Sequence, residues 1–327
     1  MMIMRALTLL LFAVATVFAG AASAQTYPNR PITLVAPFPP GGATDTIARI
    51  MQDSLSQALG QQIVIENVGG AGGMIGAARA ARAAPDGYTV LLHNVAMAIG
   101  MTLYSKLSFD SEKDFVVVGA VNDAATTLSA RPTLPPNSLP ELVAWLKGPG
   151  QNAKMGHAGV GSYGHLCGML FAREIGAQID QIPYRGAGPA LNDLLAGHAD
   201  LSCQSAATAA PLITAGKLKG YAMLSKSRFA GLPDLPSAAE AGYPKLGLRF
   251  WHLLFAPVGT PRPIVDQLNA ALRHSFADEK VAATFAKGGM ELFPAAERTP
   301  EAGAAILKSE IKLWGDVIRA NNITVQQ

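Results

Sequence analysis

Along the chain, short continuous apolar runs alternate with longer segments of helical spacing. Ile32–Ala36 is a buried strand by this criterion. After a Pro/Gly turn, Thr44–Leu59 places Ile47, Ile50, Met51, Leu55, Ala58 and Leu59 on one helical face. Ile63–Glu66, Tyr88–His93 and Phe115–Val121 are further strands, and the glycine-rich Gly69–Gly76 leads into an alanine-rich helix ending before Pro85. Helices are expected over Leu139–Leu146, His165–Ile175 and Ala190–Ala196, separated by short apolar runs such as Leu201–Cys203 and Leu218–Leu224. Near the end, Thr260 can cap a helix with Pro261 in its first turn and Ile264, Leu268, Ala271 and Leu272 inward. This alternation predicts an α/β fold of parallel sheets covered by helices.

Composition narrows the class. Half of the 327 residues are hydrophobic and only 15% are charged, so the chain folds, and its length exceeds what one core usually serves, which predicts two domains or one large α/β unit. Lys and Arg number 26 against 23 Asp and Glu, too even a balance for a nucleic-acid partner. The first 24 residues stand apart: after Arg5 the segment Ala6–Ala22 carries no charge, and Ala22-Ser23-Ala24 is a small-residue cleavage site. That pattern predicts a secretory signal peptide removed before Gln25, because a run of roughly 17 residues is short for a membrane anchor. In an oxidising compartment Cys167 and Cys203 are either a disulfide, closing a loop of roughly 37 residues worth about 4 kcal/mol, or two buried free thiols. Together with His157, His165 and His198, the two cysteines lack the paired spacing of a zinc site. Neither a metal nor a cofactor is expected.

Three strand-to-helix junctions carry the candidate chemistry. In Pro37-Phe38-Pro39-Pro40-Gly41-Gly42-Ala43-Thr44-Asp45 the prolines stiffen the loop, the paired glycines permit close backbone approach, and the helix start offers free N–H groups to an anion. Asp45 is a ligand contact or a first-turn acid, and Phe38 is a candidate pocket wall. The second junction matches G-x-G-x-x-G at Gly159, Gly161 and Gly164, with Asp180 downstream, so a dinucleotide site is considered; a lone match in mid-chain is weak. A hydrolase fits poorly, since Val160 stands where G-x-S-x-G requires glycine before Ser162, and no orienting acid accompanies Ser162 and His165. The third, Tyr184-Arg185-Gly186-Ala187-Gly188-Pro189, holds the obvious cation of the three loops, Arg185.

Val35 to Gly42 with Asp45, Gly159-Val160-Gly161-Ser162 with His165, Tyr184-Arg185-Gly186 with Pro189-Ala190-Leu191, Asp193 to Gly197, Glu240 to Pro244, Phe255 to Pro261 and Trp314 to Ile318 together resemble the Bug family. These are the TctC-like substrate-binding proteins of tripartite tricarboxylate transporters. The resemblance covers essentially the whole chain after residue 24. It implies a two-domain periplasmic-binding-protein (Venus flytrap) fold, type II-like, with the ligand cleft between a discontinuous domain 1 (25–125 and 246–327) and domain 2 (126–245). It also implies a monomeric periplasmic receptor that captures a small organic carboxylate and delivers it to large and small inner-membrane subunits. A periplasmic sensor feeding a two-component system is the alternative, and an exported hydrolase using Ser162 and His165 a remote one. The ligand set it implies is Phe38, Gly41, Gly42, Ala43, Gly161, Ser162, His165, Gly186, Ala187 and Gly188; Asp45 and Arg185, from the loops themselves, and Asn94 and Gln204, which depart from the family, are further candidates. Gln204 departs from the acidic residue many relatives carry, which weakens an amino-acid ligand; His93-Asn94 and His157 are also atypical, His157 being expected as a half-exposed loop histidine.

Overall fold

The computed structural model describes residues 27–225 and 228–324. The expected leader and its cleavage site lie outside the described residues. Two sheets carry the architecture. The first contains β1 (Ile32–Ala36), β2 (Ile63–Asn67), β3 (Thr89–Asn94), β4 (Phe115–Ala124), β10 (Trp251–Pro257) and β11 (Met290–Leu292), in the order β11-β4-β10-β3-β1-β2. The second contains β5 (Thr126–Ala130), β6 (Lys154–His157), β7 (Asp180–Pro183), β8 (Leu201–Ser205) and β9 (Lys219–Met223), in the order β7-β6-β8-β5-β9.

Strands β1, β2 and β3 pair in parallel, as do β6, β7 and β8. The expectation of wholly parallel sheets needs correction, because β10 is antiparallel to β3 and β4, and β5 is antiparallel to β8 and β9. The cause is the way the chain changes sheet. It leaves the first through β4, passes Ala125 directly into β5, and returns from β9 to β10. Strands fed straight from the neighbouring lobe lack the helical crossover that parallel pairing requires. Backbone bonds hold this crossing: the Ala125 N–H donates to Gly289 C=O (2.8 Å), and Ala124 N–H donates to Phe250 C=O (3.0 Å). Arg249 on the return segment meets Asp123 on the outgoing one at 2.7 Å.

Helix α1 (Ala43–Leu59) buries Ile47, Met51, Leu55 and Leu59 of the expected face and Ala48 besides, while Ile50 is half-buried and Ala58, expected inward, is exposed; Gly60 ends it in a left-handed conformation (φ 65°). Each of the Ile, Met and Leu side chains, fully buried, stabilises by about 1.5–3 kcal/mol. This face packs towards α8 (Arg262–Ala277), which buries Val265, Leu268, Ala271 and Leu272. Pro261 occupies the position before α8, and the Thr260 hydroxyl donates instead to Pro257 C=O (2.7 Å), so Thr260 holds the preceding turn and is not the cap. Helices α2 (Met74–Ala81) and α3 (Ala96–Leu103) follow β2 and β3, and α4 (Leu139–Leu146) follows β5. Helix α5 spans Tyr163–Ile175, two residues longer than its apolar spacing suggested, because Ser162 is an N-cap whose Oγ accepts from His165 N–H (3.4 Å). Helix α6 (Ala187–Ala196) begins three residues early, launched by Gly186, whose φ of 156° admits glycine readily. Helix α7 (Ala206–Thr214) follows β8 directly.

Candidate ligand-binding site

The loops that end β1, β6 and β7 and the C-terminal end of β8 converge on one cleft between the sheets. It holds about 600 Å³ of empty space counted out to its mouth, of which about 60 Å³ admits the centre of a water molecule. Phe38, Gly42, Ala43, Thr44 and Asn94 line it from the first lobe. His157, Ser162, Tyr163, Gly164, Ala187 and Gln204 line it from the second, and Phe250 of the returning segment closes it at the crossing. Among the described residues that line it, no Asp, Glu, Lys or Arg occurs.

Donors come instead from helix ends. Ala43 and Thr44 open α1, Tyr163 and Gly164 open α5, and Ala187 opens α6. First-turn N–H groups have no partner inside their own helix and carry partial positive charge, so several helix starts around one uncharged cleft form a cradle for an anion. Thr44 is held in place by a buried chain. Its Oγ accepts from Asn94 Nδ2 (3.2 Å) and lies 3.1 Å from His252 Nε2. Asn94 Oδ1 in turn accepts from Ala96 N–H (3.0 Å).

Several expected contacts have other work. Gly41 takes a left-handed φ of 85°, but its N–H donates to Asp45 Oδ2 (2.9 Å) and is not free for a ligand. Asp45 is buried and turned to the protein: Arg49 Nε also reaches Oδ2 (2.9 Å), and Asn67 Nδ2 reaches Oδ1 (3.0 Å). Burial alone would raise its pKa; the hydrogen bonds from Arg49, Gly41 and Asn67 and the Arg49 charge outweigh that and lower it. Asp45 therefore braces the loop that presents Gly42 and Ala43. Gly42 has an ordinary φ of −80°, and a Cβ there would meet only Pro39 C=O at 3.7 Å and the Ala187 Cβ at 4.0 Å.

Gly161, Gly186 and Gly188 lie outside the cavity lining, at the meeting of the two lobes. A Cβ on Gly186 would stand 2.7 Å from the Pro39 ring, and one on Gly188 would reach Pro40 C=O at 3.7 Å. Gly161 faces the Tyr104 ring, and the Tyr104 hydroxyl reaches Val160 C=O at 2.6 Å. Arg185 is exposed and does not line the cleft. Replacing Arg185 by alanine is expected to change affinity by less than about threefold in calorimetry, whereas truncating a buried charged hydrogen bond costs about 2–5 kcal/mol.

The histidines differ most from expectation. His157 is buried, 2% exposed, because it is the last residue of β6 and points into the cleft rather than into solvent. Its Nδ1 lies 3.0 Å from Gly159 C=O, which can only accept, so Nδ1 carries the proton. His165 sits beside it with ring centroids 4.7 Å apart, and its Nδ1 accepts from Gly161 N–H (3.2 Å). Burial pushes both pKa values down to about 4, with the neighbouring His165 a second cause for His157. Ser162 meets His165 through the backbone N–H rather than the ring, so the two side chains are not a nucleophile and its base. Cys167 and Cys203 are disulfide-bonded, tying α5 to β8 directly beneath the cleft.

Thr44, His157, Ser202, Ser205 and Phe250 were not singled out as ligand contacts from sequence. One signal was available: ligands of open α/β sheets bind beyond the carboxyl ends of strands. Asn94, His157 and Ser205 are the last residues of β3, β6 and β8.

The geometry agrees with comparison to known proteins. Residues 47–323 match the model of the tripartite tricarboxylate transporter family receptor, TctC. A protein of Agrobacterium vitis, described as a UPF0065 protein in the TAR-I ttuE-ttuC' intergenic region, is 38% identical over 305 residues, covering 93% of this chain and 88% of that one. The structure of the periplasmic binding protein BugD superposes with a TM-score of 0.88 at 37% identity, covering 92% of this chain and all of that one. MatC of Rhodopseudomonas palustris, solved with bound malate, gives 0.86 at 35% identity, covering 89% and 100%. With its two-lobed α/β fold and uncharged anion cradle, the chain belongs to the TctC/Bug family of periplasmic solute-binding receptors, which are binding proteins and not enzymes.

Proposed function

We propose that this receptor, exported to the periplasm by a leader cleaved before Gln25, captures a small carboxylate in the cleft and delivers it to the large and small membrane subunits of a tripartite tricarboxylate transporter. The observation that carries the reading is the ring of helix starts at Ala43, Tyr163 and Ala187 around a cleft lined, among the described residues, by no charged side chain. Neutral donors attract a carboxylate without the tight ion pair that would slow its release. A neighbour of the same fold with bound malate supports a ligand of that size. The two lobes, divided as the resemblance implies near residues 125 and 246, would then move as two bodies about Ala125 and the segment 246–250, closing over the ligand.

The test is thermal unfolding of refolded protein, freed of any carried ligand, against mono-, di- and tricarboxylates. A true ligand at 100 times its Kd stabilises by about 2.7 kcal/mol, which raises Tm by several degrees. If no carboxylate moves the melting curve, the reading falls.

A further inference from the structure

The walls of the cleft are chemically unequal, and the inequality bears on which carboxylate is bound. The helix starts offer donors. On the second lobe, two chains of hydrogen bonds each end on an acceptor. Gly156 C=O can only accept, and the Ser202 hydroxyl lies 2.7 Å from it, so the Ser202 proton is committed there. Ser202 Oγ must then accept from its other neighbour at 2.9 Å, which fixes the Gln204 amide with Nε2 towards Ser202 and Oε1 as the free end. In the same way Gly159 C=O takes the His157 Nδ1 proton and leaves Nε2 with a bare lone pair. His157 and Gln204 both line the cleft, and neither His157 Nε2 nor Gln204 Oε1 has a hydrogen-bond partner among the described residues. Beside them Ser205 Oγ is buried and unpartnered.

A carboxylate offers no proton, so a plain dicarboxylate would bury these acceptors unsatisfied, which is costly. A ligand hydroxyl, with its one proton, would satisfy one of them. An ammonium would too, but with no acidic side chain on the lining its charge would be left without a counterion.

We propose that this receptor selects hydroxycarboxylates over their deoxy counterparts, with Gln204 Oε1, beside His157 Nε2, accepting the single proton of the ligand hydroxyl. The proposal rests on the carboxylate reading above and refines it. Depressed basicity keeps the His157 acceptor unprotonated at neutral pH.

Calorimetry on refolded parent protein with matched pairs tests it: glycolate and acetate, malate and succinate, 3-hydroxybenzoate and benzoate, with aspartate as the amino analogue of malate. The expected result is that, in the pair that binds, the hydroxy acid is at least about thirtyfold tighter than its deoxy partner and, where that pair is malate and succinate, tighter than aspartate. Gln204→Leu is expected to shrink that ratio at least about fivefold. Equal binding of the two members of a pair overturns the proposal and leaves the carboxylate reading intact. Aspartate tighter than malate overturns it in favour of an ammonium. Failure of every acid to bind overturns the carboxylate reading itself.

Discussion

Replacing Gly72 by valine is expected to weaken ligand binding at least about a hundredfold, roughly 3 kcal/mol, with each lobe still folded. Gly72 lies in the glycine-rich segment before α2, and a Cβ on it would stand 2.4 Å from Val160 C=O and 3.0 Å from Ser162 N. Both are backbone atoms of the opposite lobe, which cannot swing aside as a side chain would. The obstruction therefore acts on closure of the cleft and lowers the fraction of molecules competent to hold ligand. Its φ of 62° adds local strain, and Gly60→Ala supplies the control, since Gly60 has a φ of 65° with open space where the Cβ would go. Gly60→Ala should lose roughly 1 kcal/mol of stability and bind like the parent. Calorimetry beside thermal melting separates the two effects, and parent-like binding by Gly72→Val would mean that the lobes do not close on this contact.

Acid is expected to unfold the ligand-free protein through its buried histidines. Burial holds His93, His157 and His165 down to about 4, and His252, with His93 as a second cause, to about 3, against an ordinary 6.5. The unfolded chain takes up protons on these rings from about pH 6.5 downward, while the folded chain refuses them until about pH 4. Stability is thus fully present above pH 6.5 and falls as pH drops towards 4, each imidazole contributing up to about 1.4 kcal/mol per pH unit. Glu310, whose carboxyl is raised by burial, works in the opposite sense, one group against four. Tm should drop by at least about ten degrees between pH 7 and pH 5. A flat profile across that range would show that the rings are not buried as neutral groups.

The parts of this site that were legible in the sequence share one physical origin. Proline and glycine restrict or free the backbone locally, so Phe38 to Ala43, Gly159 to Ser162 and Gly186 to Gly188 could be read as three helix-opening loops without knowing how the chain folds. What each residue does there depended on contacts distant in sequence. Gly41 and Gly42 look alike, yet one N–H is taken by Asp45 and the other residue borders the ligand space. Arg185 is the obvious cation of the three loops, yet it is exposed and off the cleft lining. His157 and Ser205 face the cleft because they end strands in a sheet whose order, β7-β6-β8-β5-β9, no local pattern reveals. The antiparallel pairing of β10 and β5 likewise follows from where the chain changes lobes, a global property.

The central claim is that backbone N–H groups at helix starts, rather than a charged side chain, hold the ligand's carboxylate. Ala43→Pro tests it most directly. Ala43 is the first residue of α1, where proline is tolerated, and Gly42 before it is already extended at φ −80°, ψ 168°, as a residue preceding proline prefers. The substitution deletes one donor and leaves the helix. Calorimetry with the acid that raises Tm most should show at least a tenfold loss of affinity for Ala43→Pro at unchanged stability, and near-parent affinity for Ala43→Ser, which keeps the N–H. Parent-like binding by Ala43→Pro would contradict the account.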